Sequence, residues 1–288
     1  MEQTLNWWQY LPEQINPTVF KIGSFMLTYY ALSYILGFGI VYLLVLYRLK
    51  SERWEYSKGI VQDCFLYCSL GAIIGGRLGY VVLHDFRYFL SNPLRIICPF
   101  DFANGIHYIG ISGMAYYGAL IGIVLVSIAF CRINKINYLH FTDLFLPAIP
   151  LGYTLGRLGN FINGEFYGRI TTMPWGMYFL SDSTHQLRHP SQLYEAFFEG
   201  LFLFIILWSL RKKKYFDGFI SGLYLIGYGL LRFFVEFSRQ PDHKSGLIFG
   251  FLTIGQIFCI LMVSAGIIGM LIKKSLDLQR SKKQVEIS

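Results

Sequence analysis

Charge is scarce in this chain. Asp, Glu, Lys and Arg make up 15% of its 288 residues, against ~25% in an ordinary soluble domain. Cysteine is sparse and unpatterned. Cys64, Cys68, Cys98, Cys131 and Cys259 show no metal-ligand spacing, which excludes a disulfide scaffold and leaves no metal or cofactor to expect. Cys64 and Cys68 lie four apart on one helical face, where free thiols pack as small apolar groups. The first 24 residues lack the basic start and short apolar run of a cleavable leader; Glu2, Glu13, Lys21 and two Trp stand there instead. The first apolar segment is therefore expected to remain as a permanent span.

Apolar length is what the chain has in abundance. Hydrophobic residues reach 54% and the mean hydropathy is +0.45, which excludes disorder and a coiled coil. Apolar stretches of about 20 residues recur, the length that crosses a bilayer as a helix. Seven are expected, at 25–47, 61–83, 110–131, 144–163, 193–210, 218–237 and 247–272. The fourth carries Pro147 and Pro150 near its start and Arg157 inside, so it is expected to be kinked or broken. The fifth is the shortest and holds Glu195 and Glu199.

Lys and Arg set the orientation, because cytoplasmic loops carry the excess. Fifteen fall in the loops that follow the first, third, fifth and seventh spans, and seven in the opposite set. Arg77, Arg157 and Arg232 lie within spans. The expected fold is an all-α integral membrane protein of seven transmembrane helices, N-terminus outside and C-terminus cytoplasmic, with periplasmic loop elements. Its parts are an interfacial segment 1–24, a spanning region 25–272 with outer segments 84–109 and 164–192, and a basic tail 273–288. The net charge of +8 then reflects topology and attraction to anionic membrane lipid, and no nucleic-acid partner is needed. Trp7, Trp8, Tyr10, Trp54, Trp175 and Tyr178 suit the interfacial aromatic belts.

Orientation converts position into depth. Tyr29, Tyr30, Arg77, Tyr117, Arg157, Asn160, Asn163, Glu165, Gln192, Tyr194 and Glu195 all fall toward the outer ends of their spans. Tyr228, Arg232 and Glu236 recur every four residues, on one helical face. A charge in a span costs ~2.5 kcal/mol or more, so such groups normally face a bundle interior or wet cavity. Two plainer readings stand beside this one: Arg77 snorkels to the interface, and Arg232 with Glu236 is a self-neutralising i,i+4 pair. Polar groups on several spans at one depth favour a shared cavity open to the outer leaflet. Guanidinium forks suit phosphate oxygens, so the cavity fits an anionic lipid headgroup. A lipid flippase would share that chemistry but is expected to show a two-fold repeat with midplane binding. The near-repeat of Gly75–Tyr80 and Leu155–Asn160 reads as convergent glycine packing or as duplication.

The run Gly156–Arg169 closely resembles the signature of prolipoprotein diacylglyceryl transferases. Arg188–Glu195 resembles that family's second block, and Tyr228–Phe237 with Arg239, Pro241 and Asp242 its third. Thr28–Leu32 and Gly76–Tyr80 fit earlier blocks, so the likeness covers about residues 17–270. The resemblance implies an inner-membrane enzyme. It moves the diacylglyceryl group of phosphatidylglycerol onto the lipobox cysteine of a prolipoprotein signal peptide, forming a thioether and releasing glycerol phosphate. It further implies that Arg157 and Arg232 are essential, that Asn160, Glu165 and Gly168 belong to the signature loop, and that Tyr30 and Tyr228 line the site. In the catalysis expected on that basis Tyr117 or Tyr228 relays the proton and Glu165 or Glu236 orients an Arg. Phosphatidylglycerol is then expected to meet Arg157, Tyr30, Arg77, Asn160, Asn163, Gly168, Gln192, Glu236 and Arg239. One departure matters. The family commonly has Phe-His-Gly-Gly on the third span, and this chain has Tyr116-Tyr117-Gly118-Ala119. Tyr117 stands where the proposed base stands elsewhere, as a proton relay or as an interfacial aromatic. None of the six His lies in a span core.

Overall fold

The computed structural model describes residues 7–22, 25–84, 86–96, 100–101, 107–108, 113–240 and 252–287. Cys98, Pro241, Asp242 and His243 lie outside them, as do the starts of the expected third and seventh spans, 110–112 and 247–251. The chain divides into two compact units, Met1–Glu52 with Thr142–Ser288, and Arg53–Phe141.

In the first unit a short helix, Leu11–Gln14, precedes an antiparallel hairpin of β1 (Thr18–Ile22) and β2 (Phe25–Thr28), with Thr18 opposite Thr28. Helix α1 (Tyr29–Ser51) follows directly. Thr28 has extended backbone, and its hydroxyl oxygen accepts from the Ala31 N–H at 3.2 Å, capping the helix. The expected first span is corrected here: 25–28 form a strand, because the cap fixes the helix start at Tyr29 and β1 supplies their backbone partners.

The second unit contains α2 (Lys58–His84) and α3 (Tyr116–Ile133). The two pack through glycines. A Cβ on Gly71 would lie 3.0 Å from the Gly122 carbonyl, and one on Gly79 would lie 2.7 Å from the Gly118 Cα. Small residues at this spacing bring helices close in lipid, where no hydrophobic force joins them. Short pieces, Phe86–Ser91, Pro93–Ile96 and the paired β3 (Phe100–Asp101) and β4 (His107–Tyr108), connect them.

The expected fourth span is broken, as its prolines require. Helix α4 (Tyr138–Phe145) ends in a turn around Pro147, and α5 (Ile149–Ile162) starts with Pro150 in its first turn. The carbonyls exposed at the break are taken up by Arg48 of α1, which donates to Asp143 O at 2.7 Å and to Leu144 O. Glu52 pairs with Arg48 at 2.9 Å.

Helix α6 (Ser191–Leu210) carries a π-helical segment at Glu195–Phe202. Helix α7 (Phe219–Val235) begins after Gly218, whose φ of 90° suits only glycine without strain. Its first turn is capped from α4: Asp143 accepts from the Gly218 N–H at 2.9 Å and the Ser221 N–H at 2.8 Å. Helix α8 (Ile254–Ile287) starts in a reciprocal capping box between Thr253 and Gln256. It runs on beyond 272, so the described part of the basic tail is helical.

Among the described residues five helices are long and apolar enough to cross a membrane, Tyr29–Ser51, Lys58–Leu83, Tyr116–Ile133, Ser191–Leu210 and Ile254–Leu276; α7 is apolar but shorter. Leu and Ile side chains such as Ile35 and Leu43 stay exposed on these helices. That combination marks a mostly helical, multi-pass membrane protein.

Candidate active site

Three helices of the first unit bring polar stripes together. Tyr153, Arg157 and Asn160 share a face of α5. Gln192, Glu195 and Glu199 share one on α6, and Tyr228 and Arg232 one on α7, with Glu236 just past its end. Glu195 is the hub, with 0% exposure. Its Oε2 is ion-paired to Arg157 Nε at 2.9 Å and accepts from Arg232 Nη1 at 3.0 Å, and its Oε1 accepts from Arg239 Nη1 at 2.6 Å. Glu199 meets Arg232 at 3.4 Å. Glu236 meets Arg232 at 3.0 Å and Arg239 at 3.4 Å. The Tyr153 hydroxyl lies 3.1 Å from Glu195 and 2.8 Å from Glu199, and its ring lies 4.9 Å from the Arg157 guanidinium carbon.

Three arginines thus face three carboxylates. Isolated charges at this burial are costly, and mutual pairing with further hydrogen bonds is what makes them tolerable. The arrangement holds guanidinium groups from separate elements at fixed places, able to meet an anion without first reorganising.

A loop follows α5 and closes over this end of the bundle. Gly164 and Phe166 have φ of 70° and 60°, so the chain turns sharply. The Glu165 N–H donates to Asn160 O at 3.0 Å, and Gln192 Nε2 donates to Glu165 O at 2.6 Å. Ser191 Oγ donates to Phe166 O at 3.0 Å. Gly168 pairs with Arg239 across an antiparallel bridge, and its N–H donates to His189 O at 2.8 Å. A Cβ on Gly168 would run into the Ser238 carbonyl and the His189 side chain, so glycine is required by close approach. Arg169 donates to Arg239 O at 2.8 Å.

A second buried pair supports that loop. Arg188 Nε and Nη2 meet Asp182 at 2.7 and 3.0 Å, and Nη1 donates to Gln240 Oε1 at 3.0 Å. The Arg188 guanidinium also lies 5.2 Å from the Tyr167 ring centre. Burial alone would raise the Asp182 carboxyl, but Arg188 and Thr184 hold it well below the usual carboxylate range. Burial pushes the His189 imidazole down, and its Nδ1 lies 3.1 Å from the Tyr194 hydroxyl.

Of the residues expected at the site, Arg157, Arg232, Asn160, Glu236 and Arg239 meet in one network, and Gln192 and Gly168 sit in the loop contacts around it. Tyr30 of α1 lies against Gly159 and within electrostatic range of Arg157 and Glu165. The Tyr228 ring packs edge-on to Tyr153 at 6.1 Å. Asn163 Nδ2 donates to Glu165 Oε1, and Glu236 joins Glu195 and Glu199 as a carboxylate paired with the arginines. Arg77 and Tyr117 belong to the second unit. There Arg77 donates to the carbonyls of Ile96 at 2.8 Å, Arg95 at 2.7 Å and Gly113 at 3.3 Å. Tyr117 is the second residue of α3 and half-exposed.

The sequence places Glu195 at the depth of the shared cavity without giving it a catalytic or lipid-binding role, and it gives no role to Tyr153 or Glu199. The available signal is two acidic residues, four apart, inside an apolar span.

The model for prolipoprotein diacylglyceryl transferases matches residues 17–272. The chain belongs to this family. A family member from Chlorobaculum tepidum, named phosphatidylglycerol--prolipoprotein diacylglyceryl transferase, is 50% identical over 262 residues, 91% of each chain. Relatives of the same name from Bordetella avium and Coxiella burnetii are 40% and 41% identical, each over 88% of this chain and 93% of theirs. For this transferase family member the matched region takes in the α5–α7 network and the loop over it.

Proposed function

We propose that this chain transfers the diacylglyceryl group of phosphatidylglycerol to the lipobox cysteine thiol of a prolipoprotein. The cysteine sulfur attacks the glyceryl carbon that bears the phosphate ester. A carbon–sulfur bond forms, the carbon–oxygen bond breaks, and its electron pair leaves on glycerol phosphate. The thiol proton must also depart. An unperturbed thiol has a pKa of ~8.5, and nearby guanidinium groups favour the thiolate. Arg157 and Arg232 serve twice, favouring that ionisation and stabilising charge on the departing phosphate. Tyr228 relays the proton toward the departing phosphate.

The observation that carries this reading is the meeting of Arg157, Arg232 and Arg239 on Glu195. Family membership and the names of the relatives support the substrates. On the same reading the chain crosses the bacterial inner membrane seven times, with α7 and the α4–α5 pair completing the five longer spans. The N-terminus lies outside and the basic tail in the cytoplasm. The site then opens to the outer leaflet, where the precursor's lipobox emerges.

The test is purified protein with phosphatidylglycerol vesicles and a lipobox peptide. A mass increase of one diacylglyceryl unit, lost in Arg157→Ala and Arg232→Ala, is expected. An unmodified peptide overturns the proposal.

A further inference from the structure

Among the described residues, three buried polar atoms beside the arginine network accept or donate no hydrogen bond: Glu236 Oε2, which is ion-paired to Arg232 and Arg239, and Asn160 Nδ2 and Gln192 Oε1, which have no such pairing. Asn160 is 2% exposed and Gln192 0%. Their chemical identities are fixed by the other half of each amide. Asn160 Oδ1 accepts from Arg157 Nη1 at 3.3 Å; a guanidinium only donates, so the remaining atom is a donor. Gln192 Nε2 donates to the Glu165 carbonyl at 2.6 Å, so its remaining atom is an acceptor. The same Glu165 donates its N–H to Asn160 O at 3.0 Å, which ties the two residues to the two sides of one loop residue.

One donor and one acceptor are therefore left over next to an arginine. A phosphate oxygen accepts and satisfies only the first. An ammonium donates and satisfies only the second. A trimethylammonium satisfies neither, and a hydroxyl satisfies both. Leaving a buried amide atom unpaired carries a desolvation penalty that a well-matched ligand removes.

We propose that Asn160 and Gln192 form a specificity-determining pair that reads a hydroxyl of the headgroup glycerol on the donor lipid. This rests on the reading that phosphatidylglycerol is the donor. Arg157 takes the phosphate, and the headgroup hydroxyls are attached to the next carbons beyond its ester. The pair then separates a glycerol headgroup from an ethanolamine or choline one, although all carry the same phosphate.

The experiment compares two donors with matched acyl chains, phosphatidylglycerol and phosphatidylpropanol, which lacks both headgroup hydroxyls. Transfer to a lipobox peptide is measured with the wild-type protein as kcat/KM. Phosphatidylglycerol is expected to win by roughly 10-fold or more, the scale of one buried amide left unpaired. In Gln192→Met and Asn160→Leu the ratio is expected to fall toward one. A wild-type ratio near one overturns the assignment, and so does an unchanged ratio in the variants, which leaves the amides to an internal water. The wild-type lipid pair decides even where a variant does not fold. Wild-type transfer from neither lipid brings down the functional reading itself, a separate result.

Discussion

Arg157 Nε and Arg232 Nη1 lie 2.9 and 3.0 Å from one and the same oxygen, Oε2 of Glu195. The two arginines come from α5 and α7, 75 positions apart, and the α6 carboxylate between them ties them together. The spacing of the two guanidinium groups is thus a property of α6.

Glu195→Gln is accordingly expected to be the most damaging single-atom change in this region. It removes one negative charge from beneath three guanidinium groups, and breaking such a buried pairing costs ~3–5 kcal/mol. Thermal unfolding in detergent should show the loss, and diacylglyceryl transfer should fall by at least 100-fold. Transfer within threefold of wild type would show that Glu195 does not organise the arginines. Glu199→Gln should be milder, because Glu199 meets one arginine, at 3.4 Å.

Gly168→Ala tests the closure of the loop. The new methyl meets the Ser238 carbonyl and His189, so the bridge to Arg239 must open. The expected cost is ~1–3 kcal/mol of overpacking, with a larger effect on transfer than on stability because Arg239 is displaced from Glu195. Equal activity of the variant and the wild type, measured on the same folded fraction, would contradict this.

The Asp182–Arg188 pair predicts an acid dependence with a definite sign. Asp182 is held below its ordinary pKa in the folded protein, so its contribution is present above the unfolded value, ~3.9, and is lost as pH falls through the folded value. Stability should be insensitive to this group from pH 8 to 5 and decline below about 4. Asp182→Asn should lower stability at neutral pH by ~1–3 kcal/mol and flatten the acid decline. Unfolding midpoints across that range would reveal an unchanged acid limb if the pair were irrelevant.

Asp143→Ala should separate stability from turnover. The side chain caps the first turn of α7, and losing such a cap costs ~1–2 kcal/mol. Arg232 lies 14 positions further along, ~20 Å at helical rise. The unfolding temperature should drop while kcat per folded molecule stays within about twofold, on the expectation that a cap acts locally. A large fall in kcat would mean that the far end of α7 moves with its cap.

Much of this was legible in the chain before any coordinates. Apolar length located the helices, Pro147 and Pro150 foretold the break between α4 and α5, and the depth of Arg157, Arg232 and Glu236 pointed to one shared network. Resemblance to the family added the loop residues Asn160 and Gly168. What escaped has physical causes. Strand pairing at Phe25–Thr28 looked like the start of a span because both are apolar. The contact of Gly168 with Arg239 joins residues 71 positions apart and leaves no periodic trace. Glu195 and Glu199 were visible as acidic residues in an apolar run, but their value depends on partners from two other helices. Tyr153 had no signal of its own, since a tyrosine near a membrane interface is ordinary.

The wide turn at Glu195–Phe202 leaves this part of the fold intolerant of a change in length. Deleting one residue there, with the winding otherwise unchanged, would rotate everything downstream by about 100°. Leu203 and Leu207, which pack on Ile220, would swing toward lipid, and an aromatic or polar neighbour would take their place. Substitutions along this stretch are survivable one side chain at a time, whereas a single-codon deletion would unseat α7 from α6 altogether.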